Sequence, residues 1–145
     1  MNRKLIIYLD NCCYGRRFDD KTNLNVKEEA DRIRHIIRNR AKGRYAIIGS
    51  FAVKTEIGQI TDNKKRRAVE SHYKKTVVGT VKPTAQIITR AVELELKGLR
   101  MMDSRHLAAA EAAGADYLLT TDMDFIKKCS NPNFTTVKVI NPLNF

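Results

Sequence analysis

Hydrophobic and polar positions along the 145-residue chain fall into alternating blocks of two periods. Leu5 to Leu9 is a nearly continuous apolar run, the pattern of a strand covered on both faces, and it stops at Asp10. A polar, turn-rich loop through Arg16, Arg17, Asp19, Asp20 and Asn23 is expected next. Asn25, with Glu28 three residues on, predicts a helix start through a variant of the capping box. Behind it Val26, Ala30, Ile33, Ile36 and Ile37 recur at helical spacing with charged residues between them. Tyr45 to Ile48 repeats the buried-strand pattern and is closed by Gly49 and Ser50. A helix from about Phe51 takes Phe51, Val53, Ile57 and Ile60 as its apolar side and carries Glu56. Asp62 predicts the cap of another helix, and Thr76 to Val81, rich in β-branched residues, predicts a third strand. Pro83 or Thr84 then opens a helix with Ile87, Ile88, Ala91 and Val92 that stops at Gly98.

From Gly98 to Phe125 the pattern predicts a helix capped by Asp103 and ended by a left-handed Gly114, feeding a strand from Asp116 to Thr120. The Ala-rich run after Asp103 suits close packing on a sheet, and the strand ends in the acids Asp122 and Asp124. Thr135 to Ile140 predicts a fifth strand at an edge. Strands alternating with helices imply one α/β domain over residues 1–145, built on a mostly parallel five-stranded sheet. No repeat, low-complexity tract or linker divides it.

Composition narrows the class. A hydrophobic fraction of 43% argues against large-scale disorder. The excess of 27 Lys plus Arg over 16 Asp plus Glu, a formal charge of +11, favours an anionic partner. Nucleic acid comes first, with an acidic protein or a membrane surface behind it. Cys12, Cys13 and Cys129 have no zinc-like spacing and form no disulfide framework. The opening apolar run is too short for a signal sequence, and no stretch approaches the roughly 18 apolar residues of a membrane span. A reducing cytoplasm is the expected compartment.

The acids then change the picture. Singly, Asp10 is a strand-end turn former, Asp103 a helix cap, Glu56 a solvated helix residue, and Asp122 and Asp124 turn acids. In a parallel sheet, however, the positions after the first and later strands share one edge, where ligands bind. Clustered carboxylates repel, so some must take up protons or be balanced by a cation. Oxygen-only ligands from separate elements suit Mg²⁺ or Mn²⁺. On a basic protein, such an ion suits a phosphodiester, since it polarises a phosphoryl oxygen and lowers the pKa of an attacking water.

These residues also carry a family resemblance. IIYLDNCCYGRRFDD near the start, Ser50 with Glu56 in the middle and MDSRHLAAAEAAGADYLLTTDMDF late resemble PIN-domain proteins. The branch is that of VapC-type toxin ribonucleases and small nucleases opening with a YLDNCC-like motif. The resemblance implies a sheet in the order 3-2-1-4-5 and metal-dependent cleavage of RNA. It places Asp10, Glu56, Asp103 and Asp122 at the catalytic acids, with Asp10, Asp103, Asp122 and the auxiliary Asp124 as metal ligands for Mg²⁺ or Mn²⁺. Asn11, Ser50 and Thr120 become polar neighbours that orient carboxylates or water. A toxin role implies a cognate antitoxin, and the family implies a homodimer. The segment around Glu56, TEIGQITDNKKRR, departs from the family's more usual surroundings.

Other features receive structural or auxiliary readings. Arg16 and Arg17 follow Asp10 and are expected to lean over the scissile phosphate. The basic run Lys64 to Arg67, with Tyr73, Lys74 and Lys75, suits either an RNA groove or a solvated helix face. His106, three residues after Asp103, invites a transition-metal reading, but the resemblance makes it a packed, hydrogen-bonded scaffold residue. Met101 and Met102 fill core. A receiver-type phosphoacceptor domain would need an aspartate after the third strand, where Val81, Lys82 and Pro83 stand. A non-catalytic RNA- or protein-binding module on the same fold is the remaining alternative.

Overall fold

β1, Leu5–Leu9, forms where the apolar run predicts it, and Ile7, Tyr8 and Leu9 are fully buried. The computed structural model describes residues 3–19 and 22–145, so Asp20 of the expected loop lies outside the described residues. The five strands form one sheet in the order β3-β2-β1-β4-β5, all pairs parallel, with β2 at Tyr45–Ser50, β3 at Thr80–Val81, β4 at Tyr117–Leu119 and β5 at Lys138–Ile140. β1 is the central strand: Ile7 lies opposite both Ile47 and Tyr117, and Tyr8 opposite both Ile48 and Leu118. A central strand with helices on the sheet's faces must be apolar on both sides, which is why it reads as a run rather than an alternation.

The helices are α1 (Asn11–Gly15), α2 (Leu24–Asn39), α3 (Phe51–Gly58), α4 (Asn63–Thr76), α5 (Ala85–Leu96), α6 (Met101–Ala112) and α7 (Met123–Lys128). Among the described residues none is long and apolar enough to cross a membrane. Two expected starts stand. Asp62 caps α4 through the backbone N–H groups of Lys64 and Lys65, and Thr84 caps α5 through that of Ile87.

Elsewhere the boundaries differ for local reasons. The stretch after Asp10 is a short helix and a 3-10 turn, because the Asp10 carboxylate accepts the Asn11 N–H and starts a turn. Asn23, rather than Asn25, caps α2, its side chain accepting from Asn25 and Val26. The third strand is shorter than the β-branched run predicts. α4 continues through Thr76, whose hydroxyl donates to the His72 carbonyl at 2.7 Å, leaving only Thr80–Val81 in the ladder. The last strand likewise begins at Lys138 rather than Thr135.

The most consequential difference is at α6. Gly98, at φ 109°, turns the chain left-handed after α5, and Leu99 N–H closes on the Leu94 carbonyl. That brings Arg100 to the N-cap position in extended conformation, so Asp103 lies inside the first turn instead of capping it. An acid there still favours the helix dipole, and its carboxylate is left free of any capping role. Ala108, Ala109 and Ala110 are buried, as close packing requires, and Gly114 at φ 69° ends the helix as predicted.

Candidate active site

Three parallel strands deliver their carboxyl ends to one edge, and each end supplies a polar residue: Asp10 after β1, Ser50 closing β2, and Thr120 after β4. Asp10 is held from several directions. Its backbone N–H donates to the Leu119 carbonyl at 3.0 Å, continuing the ladder. Its Oδ1 accepts the Asn11 N–H at 2.7 Å, and its Oδ2 accepts the Thr120 hydroxyl at 2.8 Å. The Cys12 thiol also points at Oδ2, at 3.7 Å. Only 5% of Asp10 is exposed, so this network rather than solvent sets its rotamer.

Thr120 links Asp10 to Asp122. While donating to Asp10, its Oγ1 accepts the Asp122 N–H at 3.1 Å. Asp122 caps α7, its Oδ1 taking the N–H groups of Asp124 and Phe125, which leaves Oδ2 facing Arg100 at 3.6 Å. Asp124 is more open and pairs with Lys128 at 3.0 Å and Arg100 at 3.6 Å; the Lys128 contact holds its carboxyl below the usual range.

Asp103 completes the edge. Burial, and then the charges of Asp10 and Asp122, push its carboxyl up from 3.8 to about 6, against the opposing pull of His106 and Arg100. Asp103 thus feels the charges of both other aspartates, although burial contributes most to its shift.

Glu56 reaches the same edge from α3 through a histidine. His106 is fully buried; its Nε2 contacts Glu56 Oε1 in a short hydrogen bond and lies 3.3 Å from Asp10 Oδ1. Its Nδ1 meets the Tyr8 hydroxyl at 2.7 Å, and Tyr8 meets Ser50 Oγ at 2.5 Å. Ser50 in turn caps α3 through the N–H groups of Ala52 and Val53. Burial opposes a proton on His106, but Asp10, Glu56 and Asp103 outweigh it, and its pKa is raised.

His106 is thus packed and hydrogen-bonded as expected, but its partners are Glu56 and Asp10 themselves. Neither that role nor the one of Tyr8 is visible from either residue in isolation. The available signals are the i, i+3 spacing of Asp103 and His106 on one helix and a tyrosine two positions before Asp10.

Among the described residues one group has the spacing of a metal-ligand set, and it includes Asp10. Asp10, Glu56 and His106 have ligand atoms all within 4.8 Å of one another. In that group, however, Nε2 is already engaged: it hydrogen-bonds Glu56 Oε1 and lies 3.3 Å from Asp10 Oδ1. Asp103 and Asp122 lie outside that tight group and offer oxygen atoms only, Asp103 taking no part in capping.

The arginines after Asp10 divide. Arg16 turns inward: its guanidinium donates to Asp19 at 3.1 Å and to Thr121 Oγ1 at 2.5 Å, and lies 3.5 Å from Glu29. Glu29 is itself buried and accepts from Asn141 Nδ2 at 2.8 Å. Arg16 therefore braces the segment that leads into Asp122. Arg17 lies with its guanidinium 5.2 Å from the Phe18 ring centroid and lines a cavity between α2 and α4.

Known proteins of the same shape include VapBC2 from Rickettsia felis, solved bound to a DNA fragment from its promoter. Its match has TM-score 0.57 and 17% identity over 93% of this chain and 98% of that one. VapC20 of Mycobacterium tuberculosis, a toxin that cleaves the sarcin-ricin loop, matches with TM-score 0.58 and 18% identity over 91% and 98% of the two chains. No curated protein sequence matches. Residues 22–131 match the PIN domain family, a span that holds Glu56, Asp103, Asp122 and Asp124 and begins after Asp10. With most of its length covered by that match, the chain belongs to the PIN domain family.

Proposed function

We propose that the protein is a metal-dependent endoribonuclease of the VapC-like toxin type, acting as one PIN-like domain over residues 1–145. The observation that carries this reading is the convergence of Asp10, Asp103 and Asp122 on one sheet edge, with Asp103 pushed up to about 6 by burial and its neighbours. Asp10, Asp103 and Asp122 would hold Mg²⁺ or Mn²⁺, with Asp124 alongside. Such an ion supplies Lewis-acid polarisation of a phosphoryl oxygen and acidifies an attacking water.

The chain's own residues position the reaction. Thr120 and the Asn11 N–H hold Asp10 in one rotamer, and Thr120 fixes the backbone of Asp122 relative to it. His106 holds Glu56 toward the edge, where its carboxylate orients the attacking water. In-line attack by that water leaves a 5′-phosphate and a 3′-hydroxyl, the latter taking up a proton. RNA as the substrate is supported by the +11 charge and by the sarcin-ricin loop cleavage of the similar VapC20. A cognate antitoxin is supported by the likeness to VapBC2, a toxin–antitoxin complex. A homodimer and a cytoplasmic location belong to the same reading.

With Mg²⁺ or Mn²⁺ the purified protein should cut single-stranded or structured RNA, and chelation should stop it. Asp10→Asn and Asp103→Asn should each abolish cleavage. Cutting that survives both replacements would overturn the assignment.

A further inference from the structure

A cavity of about 240 Å³ opens between α1, α2 and α4, lined by Cys13 of α1, Arg17 of the turn after it, Ala30, Ile33, Arg34, Ile37 and Arg38 of α2, and His72 of α4. Ala30, Ile33 and Ile37 are buried core residues, so the floor is apolar while the rim is cationic. Among the described residues, Arg17 and Arg38 have no carboxylate partner. Arg34 has one long contact with Asp31, at 3.6 Å on an exposed helix face. Arg40 donates to the Ile37 and Lys75 carbonyls, tying the end of α2 to α4. A volume of this size is below that of a drug-sized pocket and suits a single planar fragment.

We propose that this cavity is an RNA subsite, taking one nucleobase on its apolar floor and the adjoining phosphates on Arg17, Arg34 and Arg38. Guanidinium forks match phosphate oxygens in pairs and also stack on planar bases, a combination a purely electrostatic patch lacks. His72 assists as a neutral ring: burial, and then Arg17, Arg40 and Lys75, hold it down at about 4, leaving an uncharged surface for stacking at physiological pH. Its place in the chain connects the subsite to chemistry. α1 starts on the Asp10 cap, Cys12 points at Asp10, and the next residue, Cys13, lines the cavity.

The inference rests on the ribonuclease reading, and one pair of measurements separates their failures. The first is binding of a labelled single-stranded oligoribonucleotide, followed by fluorescence anisotropy with divalent ions chelated. Arg34→Ala/Arg38→Ala should weaken binding at least about tenfold and lower the salt dependence of log K by about 0.7 for each phosphate that is no longer neutralised. Lys4→Ala/Arg44→Ala removes the same charge at the opposite end of the sheet and should change affinity less than about twofold. Arg34→Lys/Arg38→Lys, which keeps charge and fold, should fall between wild type and the alanine variant. The second measurement is RNA cleavage with Mn²⁺. Equal affinity in the two alanine variants, with cleavage intact, overturns the subsite alone. RNA held through these arginines but never cut overturns the hydrolytic reading alone. An acidic peptide that binds through them while RNA does not would assign the cavity to a protein partner and overturn the proposal.

Discussion

The two halves of the acidic edge are held by different physics. On the β2 side, Glu56, His106, Tyr8 and Ser50 form a continuous hydrogen-bonded chain in which His106, Tyr8 and Ser50 are buried, and Asp10 lies 3.3 Å from its His106 Nε2. On the β4 side, Asp103, Asp122 and Asp124 are more open, with the side chains of Asp122 and Asp124 34% and 46% exposed and paired with Arg100 and Lys128. The first half is geometry fixed in advance; the second is charge left incompletely compensated. A hydrolytic site needs both, since the fixed half can position a water and the charged half can draw in a cation.

The comparison breaks most completely if Asp10, common to both halves, is changed. Asp10→Asn should reduce RNA cleavage by at least about a thousandfold, measured as initial rate with Mn²⁺, because it alters the one carboxylate that the proposed cation site shares with the fixed half. Asp122→Asn should do nearly the same to the rate while leaving the β2 side intact.

His106→Ala attacks the fixed half. It leaves Tyr8 and Glu56 without their partner and opens a cavity in a site with no exposure, and should cost about 3 kcal/mol in urea unfolding. A loss under about 1 kcal/mol would show that the chain of hydrogen bonds is not cooperative.

Arg16→Ala should cost about 2 kcal/mol, since it strips Glu29 of its cation and frees Thr121 ahead of Asp122. Its signature is a fall in kcat with little change in RNA affinity. A fall in affinity alone would return Arg16 to substrate contact.

Asp103→Asn should separate stability from function. The native carboxyl is raised from 3.8 to about 6, so the folded state binds the proton more tightly than the unfolded chain does. Stability is therefore lost as pH rises from about 4 to about 6, and the penalty is complete above that window. With metal chelated, the variant should match wild type below about pH 4 and be about 1 kcal/mol more stable at about pH 8, a value discounted for solvent screening. The same variant should fail to cleave. Arg100→Ala, at a side chain 65% exposed, should shift stability by no more than about 0.5 kcal/mol.

How far each half can be read from the sequence follows from the same division. β1 and β2 are legible because buried parallel strands are apolar without alternation, and once they are parallel Asp10 must stand at the edge. Asp122 is legible as the acid after a second such run. The loop after Asp10 is not, because a five-residue helix started by a carboxylate has no apolar period to detect. Asp103 takes a different local duty from the one its spacing suggests, because the Leu99 closure after Gly98 moves the helix start to Met101. The Glu56–His106–Tyr8–Ser50 chain joins α3, α6, β1 and β2, and no local pattern records contacts at that separation. Arg16 shows the converse situation. An arginine beside an acid suggests substrate in sequence, while its contacts with Glu29 and Thr121 are long-range and leave no local pattern.

The central claim is that Asp10, Asp103 and Asp122 form the cation site and that His106 serves as hydrogen-bond donor beside it. Calorimetric titration of chelator-treated protein with Mn²⁺ tests it without relying on turnover. The account predicts one or two ions bound by wild type, at least about tenfold weaker binding in Asp103→Asn and in Asp122→Asn, and little change in His106→Gln. Wild-type affinity in both aspartate variants, with binding lost in His106→Gln, would place the ion among Asp10, Glu56 and His106 and contradict it.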